Sequence, residues 1–258
     1  METQELRLAV LIDADNAPRT ALKEILEEIV KYGTPTVKRI YGDWTMTQMD
    51  SWKPLLLENA IIPIQQYSYT TGKNSTDSAM IIDAMDILYG QRMDGFVLVS
   101  SDSDFTRLAL RLREAGMKVY GIGEKKTPAP FIVACDKFIY VEVIRGATAE
   151  TSDKPEKKKT AAAAEQPSAP AAPACKVPQK VVRLIAGTIN DISDDDGYLF
   201  MGELGNALMK KQPDFDPRNY GFEKLTQLVK SIDRFEIDAR PTSLPHIKLI
   251  YVRDKRAK

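Results

Sequence analysis

Two apolar runs of this sequence each end in carboxylates. Residues 6–12 lead into Asp13, and residues 96–99 lead, after two serines, into Asp102 and Asp104. Short runs of this kind are typical of strands that are buried on both faces of a parallel sheet. Since ligands bind such sheets at the carboxyl ends of the strands, these aspartates lie where a cation or a substrate would bind. Helix capping would explain one of Asp102 and Asp104 easily, but both of them less well.

Three further side chains belong to the same candidate site. Asp77 lies in the first turn of a helical pattern, where an interaction with the helix dipole is an alternative reason for its presence. Asp15 follows Asp13 closely and is a supporting candidate. The amide of Asn16 could orient a water molecule or a scissile phosphate.

Carboxylates gathered at one edge of a sheet repel one another and raise each other's pKa unless a cation lies between them. Oxygen ligands without histidine or cysteine favour Mg²⁺ or Mn²⁺, and such an ion can activate a water molecule for attack on a phosphate. We therefore predict a metal site held mainly by Asp13 and Asp102, with Asp77 and Asp104 completing it directly or through water.

Other chemistries fit these residues less well. The order Asp13-Ala-Asp15 is similar to the motif of haloacid-dehalogenase phosphatases, in which the first aspartate becomes phosphorylated, but Asn-Ala-Pro follows here instead of Thr or Val. The segment from Gly121 to Gly123 lacks the third glycine of a dinucleotide-binding loop, and no Walker sequence occurs. A phosphatase with Asp13 as its nucleophile therefore remains a lower-ranked alternative.

The charge balance does not favour any class of partner. The chain of 258 residues contains 36 basic and 36 acidic side chains. Residues 1–146 carry 17 basic and 20 acidic side chains, and residues 177–258 carry 14 and 12. Neither difference is large enough to indicate a nucleic-acid partner by charge alone.

The rare residue types point to a cytoplasmic protein without a histidine-based site. Cys135 and Cys175 have no metal-ligand spacing and suggest a reducing compartment. His246 is the single histidine, which excludes a His/Cys metal cluster and a histidine-based triad. No apolar run is long enough to span a bilayer, and the first residues lack the pattern of a signal peptide.

Strand and helix patterns alternate along the first part of the chain. This alternation predicts an α/β fold, a mostly parallel sheet with helices on both faces, and crossovers that bring the carboxyl ends of the central strands to one edge. Strands are predicted at residues 6–12, 36–41, 61–65, 96–99, 118–122 and 138–143. Helices are predicted at residues 22–30, 49–59, 76–89, 105–115 and 130–135.

The composition divides the chain into a first domain at residues 1–146, a linker at 147–178 and a second domain at 179–258. The linker contains three consecutive lysines and many alanines and prolines but almost no large apolar residue, so we expect it to be flexible and disordered. The second domain is expected to be a small winged-helix-like α+β fold. Its helices are predicted at 199–209 and 222–231, and its terminal strands at 235–239 and 247–252.

The acidic motifs resemble those of the NYN family, whose members are PIN-like ribonuclease domains and include the bacterial LabA-like group. The resemblance covers residues 6 to about 145 and rests on three motifs in order: Leu-Ala-Val-Leu-Ile-Asp-Ala-Asp-Asn, an aspartate at a helix start, and Val-Ser-Ser-Asp-Ser-Asp-Phe. It implies a divalent-metal site that cuts RNA phosphodiesters. The catalytic residues implied are Asp13, Asn16, Asp77, Asp102 and Asp104, while Asp15 varies in the family.

The last part of the chain resembles an OST-HTH (LOTUS) domain, a winged-helix module implicated in RNA binding. The resemblance rests on residues 202–205, Gly-Glu-Leu-Gly, and residues 215–222, Phe-Asp-Pro-Arg-Asn-Tyr-Gly-Phe. The Tyr-Gly pair is also explained by a structural turn. An RNA role of this segment depends on the resemblance, because no aromatic stacking platform is evident in the sequence.

These observations predict a metal-dependent endoribonuclease tethered to an RNA-recognising domain, with RNA as its partner and Mg²⁺ or Mn²⁺ as its cofactor. Lys73 could contact the RNA backbone, although a plain surface lysine explains it as well. The alternatives are a non-catalytic RNA- or protein-binding adaptor and the phosphatase described above. The sequence does not determine the RNA, the number of metal ions or the oligomeric state, and a protein partner could bind through the second domain.

Overall fold

The computed structural model describes residues 5–67, 75–149, 177–241 and 248–256. These residues form two compact units. The first contains the described residues up to 146 together with 212–214, and the second contains the other described residues. Lys73, Cys175, His246 and nearly all of the predicted linker lie outside the described residues, so the predictions for them stay predictions. The predicted domain boundaries also stay predictions.

A six-stranded sheet forms the centre of the first unit. Its strands are β1 (Arg7–Asp13), β2 (Thr34–Gly42), β3 (Ile62–Gln65), β4 (Gly95–Val99), β5 (Lys118–Gly123) and β6 (Lys137–Tyr140). All neighbouring strands are parallel, and their order is β3-β2-β1-β4-β5-β6. The chain runs outward in opposite directions from the adjacent strands β1 and β4, which makes their carboxyl ends a topological switch point. The predicted α/β fold with a parallel sheet is confirmed.

Helices cover both faces of this sheet. They are α1 (Leu22–Ile29), α2 (Lys53–Glu58), α3 (Ser75–Tyr89), α4 (Thr106–Glu114), α5 (Ala129–Ala134) and α6 (Val141–Ala149). Successive residues of β1 point to opposite faces, so Val10 packs in the cluster with α1, α2 and α6, and Leu11 packs in the cluster with α3, α4 and α5. This burial on both faces explains why residues 8–12 of β1 and 96–99 of β4 are all apolar.

Two predicted elements of the first unit differ from the structure. The last strand ends at Tyr140 rather than at residue 143, because its pairing with β5 ends with Gly123 and Tyr140. Val141 and Ile144 are then buried three residues apart on one face of α6. The predicted helix at 49–59 is a short 3-10 helix, Thr47–Trp52, followed by α2, whose first turn contains a proline.

In its described residues, the second unit combines three α-helices and a short 3-10 helix, Pro217–Tyr220, with a small antiparallel sheet. Its elements are α7 (Gln179–Ile192), β7 (Tyr198–Phe200), α8 (Met201–Lys211), α9 (Leu225–Lys230), β8 (Phe235–Pro241) and β9 (Lys248–Asp254). The strand order is β7-β9-β8. The predicted winged-helix-like α+β fold is confirmed, but the helix predicted from residue 199 begins at Met201. Leu199 pairs with Val252 instead and is buried in the core as part of a strand.

Within the described ranges, every helix is too short or too polar to cross a membrane.

Candidate active site

The carboxyl ends of β1 and β4 are joined by one hydroxyl group. The Oγ atom of Ser100 donates a hydrogen bond to Oδ2 of Asp13 at 2.7 Å and accepts one from the backbone N–H of Asp102 at 3.0 Å. Ser100 and Asp13 are both buried. The parallel register places Ile12 beside Val99, so Asp13 and Ser100, which follow them, lie next to each other at this edge. Ser100 thereby fixes the Asp13 carboxylate relative to the loop that carries Asp102.

Both carboxylate oxygens of Asp13 accept hydrogen bonds. Oδ2 also accepts from Nδ2 of Asn16 at 2.8 Å, and Oδ1 accepts from the backbone N–H of Asp15 at 3.0 Å. The side chain has no solvent exposure, and this burial raises the pKa of Asp13 even though the bonds from Asn16, Ser100 and Asp15 lower it. In this structure Asn16 is therefore a partner of the Asp13 carboxylate.

Asp102 caps the short 3-10 helix Ser103–Phe105. Its Oδ1 atom accepts a hydrogen bond from the backbone N–H of Asp104 at 2.9 Å. Phe105 is fully buried and anchors the turn in the core below. Helix capping thus explains why an aspartate stands at position 102, but it does not explain the aspartate at position 104.

The neighbours of Asp104 include Asp77, which comes from the first turn of α3. One carboxylate oxygen each from Asp77, Asp102 and Asp104 can be chosen so that all three lie within 4.8 Å of one another. Asp77 is buried with 8% exposure, Asp102 is half-buried and Asp104 is exposed. The structure therefore brings three of the four predicted metal ligands into one group. Asp13 is outside this group and lies buried in the network with Ser100 and Asn16.

The pKa of Asp77 shows that these charges interact. Burial raises it most, and the carboxylates of Asp13, Asp102, Asp104 and Asp15, in that order, raise it further, to about 7. The dipole of α3 would stabilise the ionised form, so burial and repulsion between like charges outweigh it. Asp13 thus acts electrostatically on the same site, and a cation placed among these oxygens would relieve the repulsion.

A second polar network ties α3 to the sheet and was missed by sequence reasoning. The buried hydroxyl of Tyr41 donates to Oδ2 of Asp83 at 2.5 Å, and Arg39 forms an ion pair with the same carboxylate. Burial and the Asp83 carboxylate raise the pKa of Tyr41, so its hydroxyl stays protonated. The sequence carries no local signal for it, because Asp83 and the exposed Asp86 lie in the same apolar stretch of the helix. This network fixes the helix that carries Asp77.

The end of β5 and the loop that follows it pack against Ser100 and Ser101 at the same edge of the sheet. A Cβ atom on Gly123 would lie 2.6 Å from the carbonyl oxygen of Ser100, so only glycine allows β5 to approach here. The backbone N–H of Glu124 then donates to Oγ of Ser101 at 2.9 Å. The glycines at 121 and 123 are therefore explained by packing rather than by nucleotide binding.

The first unit is a parallel α/β fold with an acidic group at its switch point, and a small winged-helix-like unit follows it in the chain. The sequence model of the NYN domain matches residues 7–142, and that of the OST-HTH/LOTUS domain matches residues 173–247. Since the first match spans more than half of the chain, the protein belongs to the NYN family. NYN domains are generally ribonucleases and typically use divalent metals, and the OST-HTH/LOTUS domain is an RNA-binding module.

Two solved structures are similar to parts of the chain. A protein of unknown function from Vibrio parahaemolyticus is 18% identical, with a TM-score of 0.45, and the match covers 54% of this chain and 94% of that one. The solution structure of an uncharacterized protein from Nitrosomonas europaea is 32% identical, with a TM-score of 0.27, and the match covers 41% of this chain and 94% of that one. No curated protein matches the chain significantly.

Proposed function

We propose that this protein is a metal-dependent endoribonuclease that hydrolyses RNA phosphodiesters at the acidic edge of its first unit and binds RNA through its second unit. The observation that carries the proposal is the group formed by Asp77, Asp102 and Asp104, whose carboxylate oxygens lie within 4.8 Å of one another. Its place at the switch point of a parallel sheet, in a chain of the NYN family, supports the same conclusion.

The donor set fits Mg²⁺ or Mn²⁺, because it consists of carboxylate oxygens whose mutual repulsion a hard dication relieves. Asp77, Asp102 and Asp104 would hold the ion, and Asp13 would act on it electrostatically or through water. A bound ion of this kind lowers the pKa of a water molecule and offsets the charge that develops on the phosphate.

The remaining residues of the site position its carboxylates. Ser100 and Asn16 hold Asp13 in one orientation through hydrogen bonds of 2.7 and 2.8 Å. The Asn16 amide lies at the same edge and would also orient a water molecule or a phosphate oxygen. Lys73 lies outside the described residues, and its contact with the RNA backbone stays a prediction.

The phosphatase alternative is disfavoured by the surroundings of Asp13. A nucleophilic carboxylate must present a free oxygen to the phosphorus atom, but both oxygens of Asp13 accept hydrogen bonds and the side chain is fully buried. A non-catalytic adaptor would keep the acidic group without cleaving RNA, so only an activity measurement separates it from the proposal.

That measurement is the cleavage of an end-labelled RNA by the full chain with Mg²⁺, Mn²⁺, Ca²⁺ or a chelator. We expect internal cuts with Mg²⁺ or Mn²⁺, and at least a hundredfold loss in Asp77→Asn and Asp102→Asn, since metal-site and charge-stabilising groups contribute about 10²–10³-fold. Asp86→Asn is a matched control, because Asp86 is an exposed aspartate on the same helix. Equal cleavage by all three variants would reject the site, and no cleavage by the native chain would favour the adaptor.

A further inference from the structure

The sheet of the second unit presents aromatic and guanidinium groups on one face. Residues on adjacent strands that lie opposite each other point to the same side of a sheet. Tyr198 lies opposite Arg253, and Phe200 lies opposite Tyr251. Asp238 of β8 lies opposite Tyr251, and Arg240, two residues further along the strand, points to the same side. We call Tyr198, Phe200, Tyr251, Arg240 and Arg253 the aromatic–arginine face.

The other side of the same sheet packs on the core of the unit. Leu199 and Val252 are buried there, and Ile237 and Ile250 pack against the same cluster. All five residues of the aromatic–arginine face are instead half-buried. The alternation along β7 and β9 therefore separates a packing side from a side that remains accessible to solvent in the described part of the chain.

The guanidinium groups lie against the tyrosine rings. The Cζ atom of Arg240 is 4.3 Å from the ring centre of Tyr251 and 4.9 Å from that of Tyr198. The Cζ atom of Arg253 is 4.8 Å from the Tyr198 ring centre. The rings of Phe200 and Tyr251 are 5.9 Å apart. Aromatic rings and guanidinium groups thus lie side by side across β7, β9 and β8.

Carboxylates hold both arginines in these positions. Arg253 pairs with Glu236 at 2.6 Å, and Arg240 pairs with Asp238 at 2.8 Å. Each positive charge on the face is therefore matched by a negative one, so the face offers little net charge to a phosphate. What it offers is a set of π-faces and guanidinium planes, on which the unstacked bases of a single strand can stack.

We propose that the aromatic–arginine face is the surface on which the second unit binds single-stranded RNA, with bases stacked on the guanidinium planes and ring faces that Tyr198, Tyr251 and their arginines present. This inference rests on the proposed function, in which the second unit binds RNA. The occupant follows from the chemistry of the face, since paired arginines on aromatic rings suit bases better than the phosphates of a duplex. The aromatic–arginine face is not evident in the sequence, because only the register between β7 and β9 brings Tyr198 beside residues of β9.

The test is the binding of a fluorescein-labelled single-stranded RNA to the full chain in a chelator, so that no cleavage occurs. Tyr198→Leu and Tyr251→Leu keep an apolar side chain but remove the ring, whereas Tyr198→Phe and Tyr251→Phe keep the ring as matched controls. We expect each leucine variant to bind about tenfold more weakly, within the range of about 5- to 150-fold that stacking of one base implies, and each phenylalanine variant to bind within about twofold of the native chain. Thermal unfolding of every variant confirms that it is folded.

A crosslinking measurement places the RNA independently of affinity. Irradiation of the native complex with a uridine-rich single strand should attach nucleotide to a peptide that contains Tyr198 or Tyr251, as read by mass spectrometry. An adduct confined to other peptides of the second unit would overturn the proposal even if a leucine variant binds weakly.

The outcomes separate this inference from the proposed function. If the native chain binds the single strand and the leucine and phenylalanine variants bind equally well, the face is wrong while RNA binding stands. A duplex that binds as tightly as the single strand and loses as much in the leucine variants would also overturn it. If the native chain binds no RNA, the inference and the RNA role of the second unit both fail, and metal-dependent cleavage still judges the acidic site on its own. A DNA strand of the same sequence shows whether the sugar matters in addition to the bases.

Discussion

The hydroxyl of Ser100 donates a 2.7 Å hydrogen bond to Oδ2 of Asp13, although the two residues lie 87 positions apart. The hydroxyl oxygen of Ser100 also accepts a hydrogen bond from the backbone N–H of Asp102. One buried side chain therefore couples the ends of two parallel strands, and with them the two acidic segments of the candidate site.

The first prediction concerns this bond. Ser100→Ala removes a donor from a buried carboxylate, which costs about 1–3 kcal/mol when a buried polar group loses its partner. We expect the free energy of unfolding to fall by that amount and RNA cleavage to fall at least tenfold, because Asp13 and the Asp102 loop lose their common anchor. Ser103→Ala, at an exposed position of the same loop, is the control. Equal stability and cleavage in the two variants would show that the bond does not organise the site.

The second prediction concerns pH and Asp77. Its pKa is about 7 in the folded protein and 3.8 for an ordinary aspartate, so the folded state binds more protons between these values. Stability of the metal-free protein should therefore fall as pH rises from about 4 to 7, with the penalty complete above the folded pKa. Each pKa unit is worth about 1.4 kcal/mol, and partial solvent access reduces the total to about 1–3 kcal/mol.

Asp77→Asn should reduce this dependence, leaving the part that comes from the raised pKa of Asp13, and should be more stable than the native chain at pH 8 in a chelator. Urea unfolding at pH 4.5 and pH 8 measures it, with Asp86→Asn as the charge-matched control. A native chain whose stability does not decline over this range, or an Asp77→Asn variant that declines as the native chain does, would contradict the raised pKa.

The third prediction concerns the network beneath α3. Tyr41→Phe removes the hydroxyl that donates to Asp83 and leaves the ion pair of Asp83 with Arg39 on β2. We expect a loss of about 1.5–3 kcal/mol in stability, the usual contribution of a hydrogen bond to a charged group, and weaker Mn²⁺ binding because Asp77 lies on the same helix. Tyr120→Phe, on β5, is the control. Unchanged Mn²⁺ affinity alongside reduced stability would confine the network to a structural role.

The fourth prediction concerns Gly123. An alanine Cβ there would lie 2.6 Å from the carbonyl oxygen of Ser100 and 2.8 Å from Oγ1 of Thr127, so the backbone must move. Overpacking of this kind costs about 1–3 kcal/mol, and the displacement of Ser100 should lower RNA cleavage as well. Gly146→Ala, where a Cβ meets nothing within 4 Å, should leave RNA cleavage unchanged and raise stability slightly, because alanine favours a helix more than glycine does. Thermal unfolding and the cleavage assay together test this, and an Gly123→Ala variant that matches Gly146→Ala would contradict it.

The parallel sheet was predictable because strands buried on both faces must be apolar throughout, as residues 8–12 and 96–99 are. The approach of Asp77 to the loop of Asp102 followed from the same topology. The Tyr41–Asp83 network was not predictable, because nothing local distinguishes a buried carboxylate partner from a surface aspartate. The aromatic–arginine face was missed for a related reason, since strand register sets it, and the end of β6 depended on where β5 stops offering a partner.

The central claim is that Asp77, Asp102 and Asp104 together hold a divalent ion, and titration of the full chain with Mn²⁺ by calorimetry or electron paramagnetic resonance tests it most directly. We predict saturable binding by the native chain and by Asp86→Asn, and at least tenfold weaker binding in Asp77→Asn, Asp102→Asn and Asp104→Asn, since each removes one charged ligand. Native-like Mn²⁺ binding by all three variants, or no binding by the native chain, would contradict the claim.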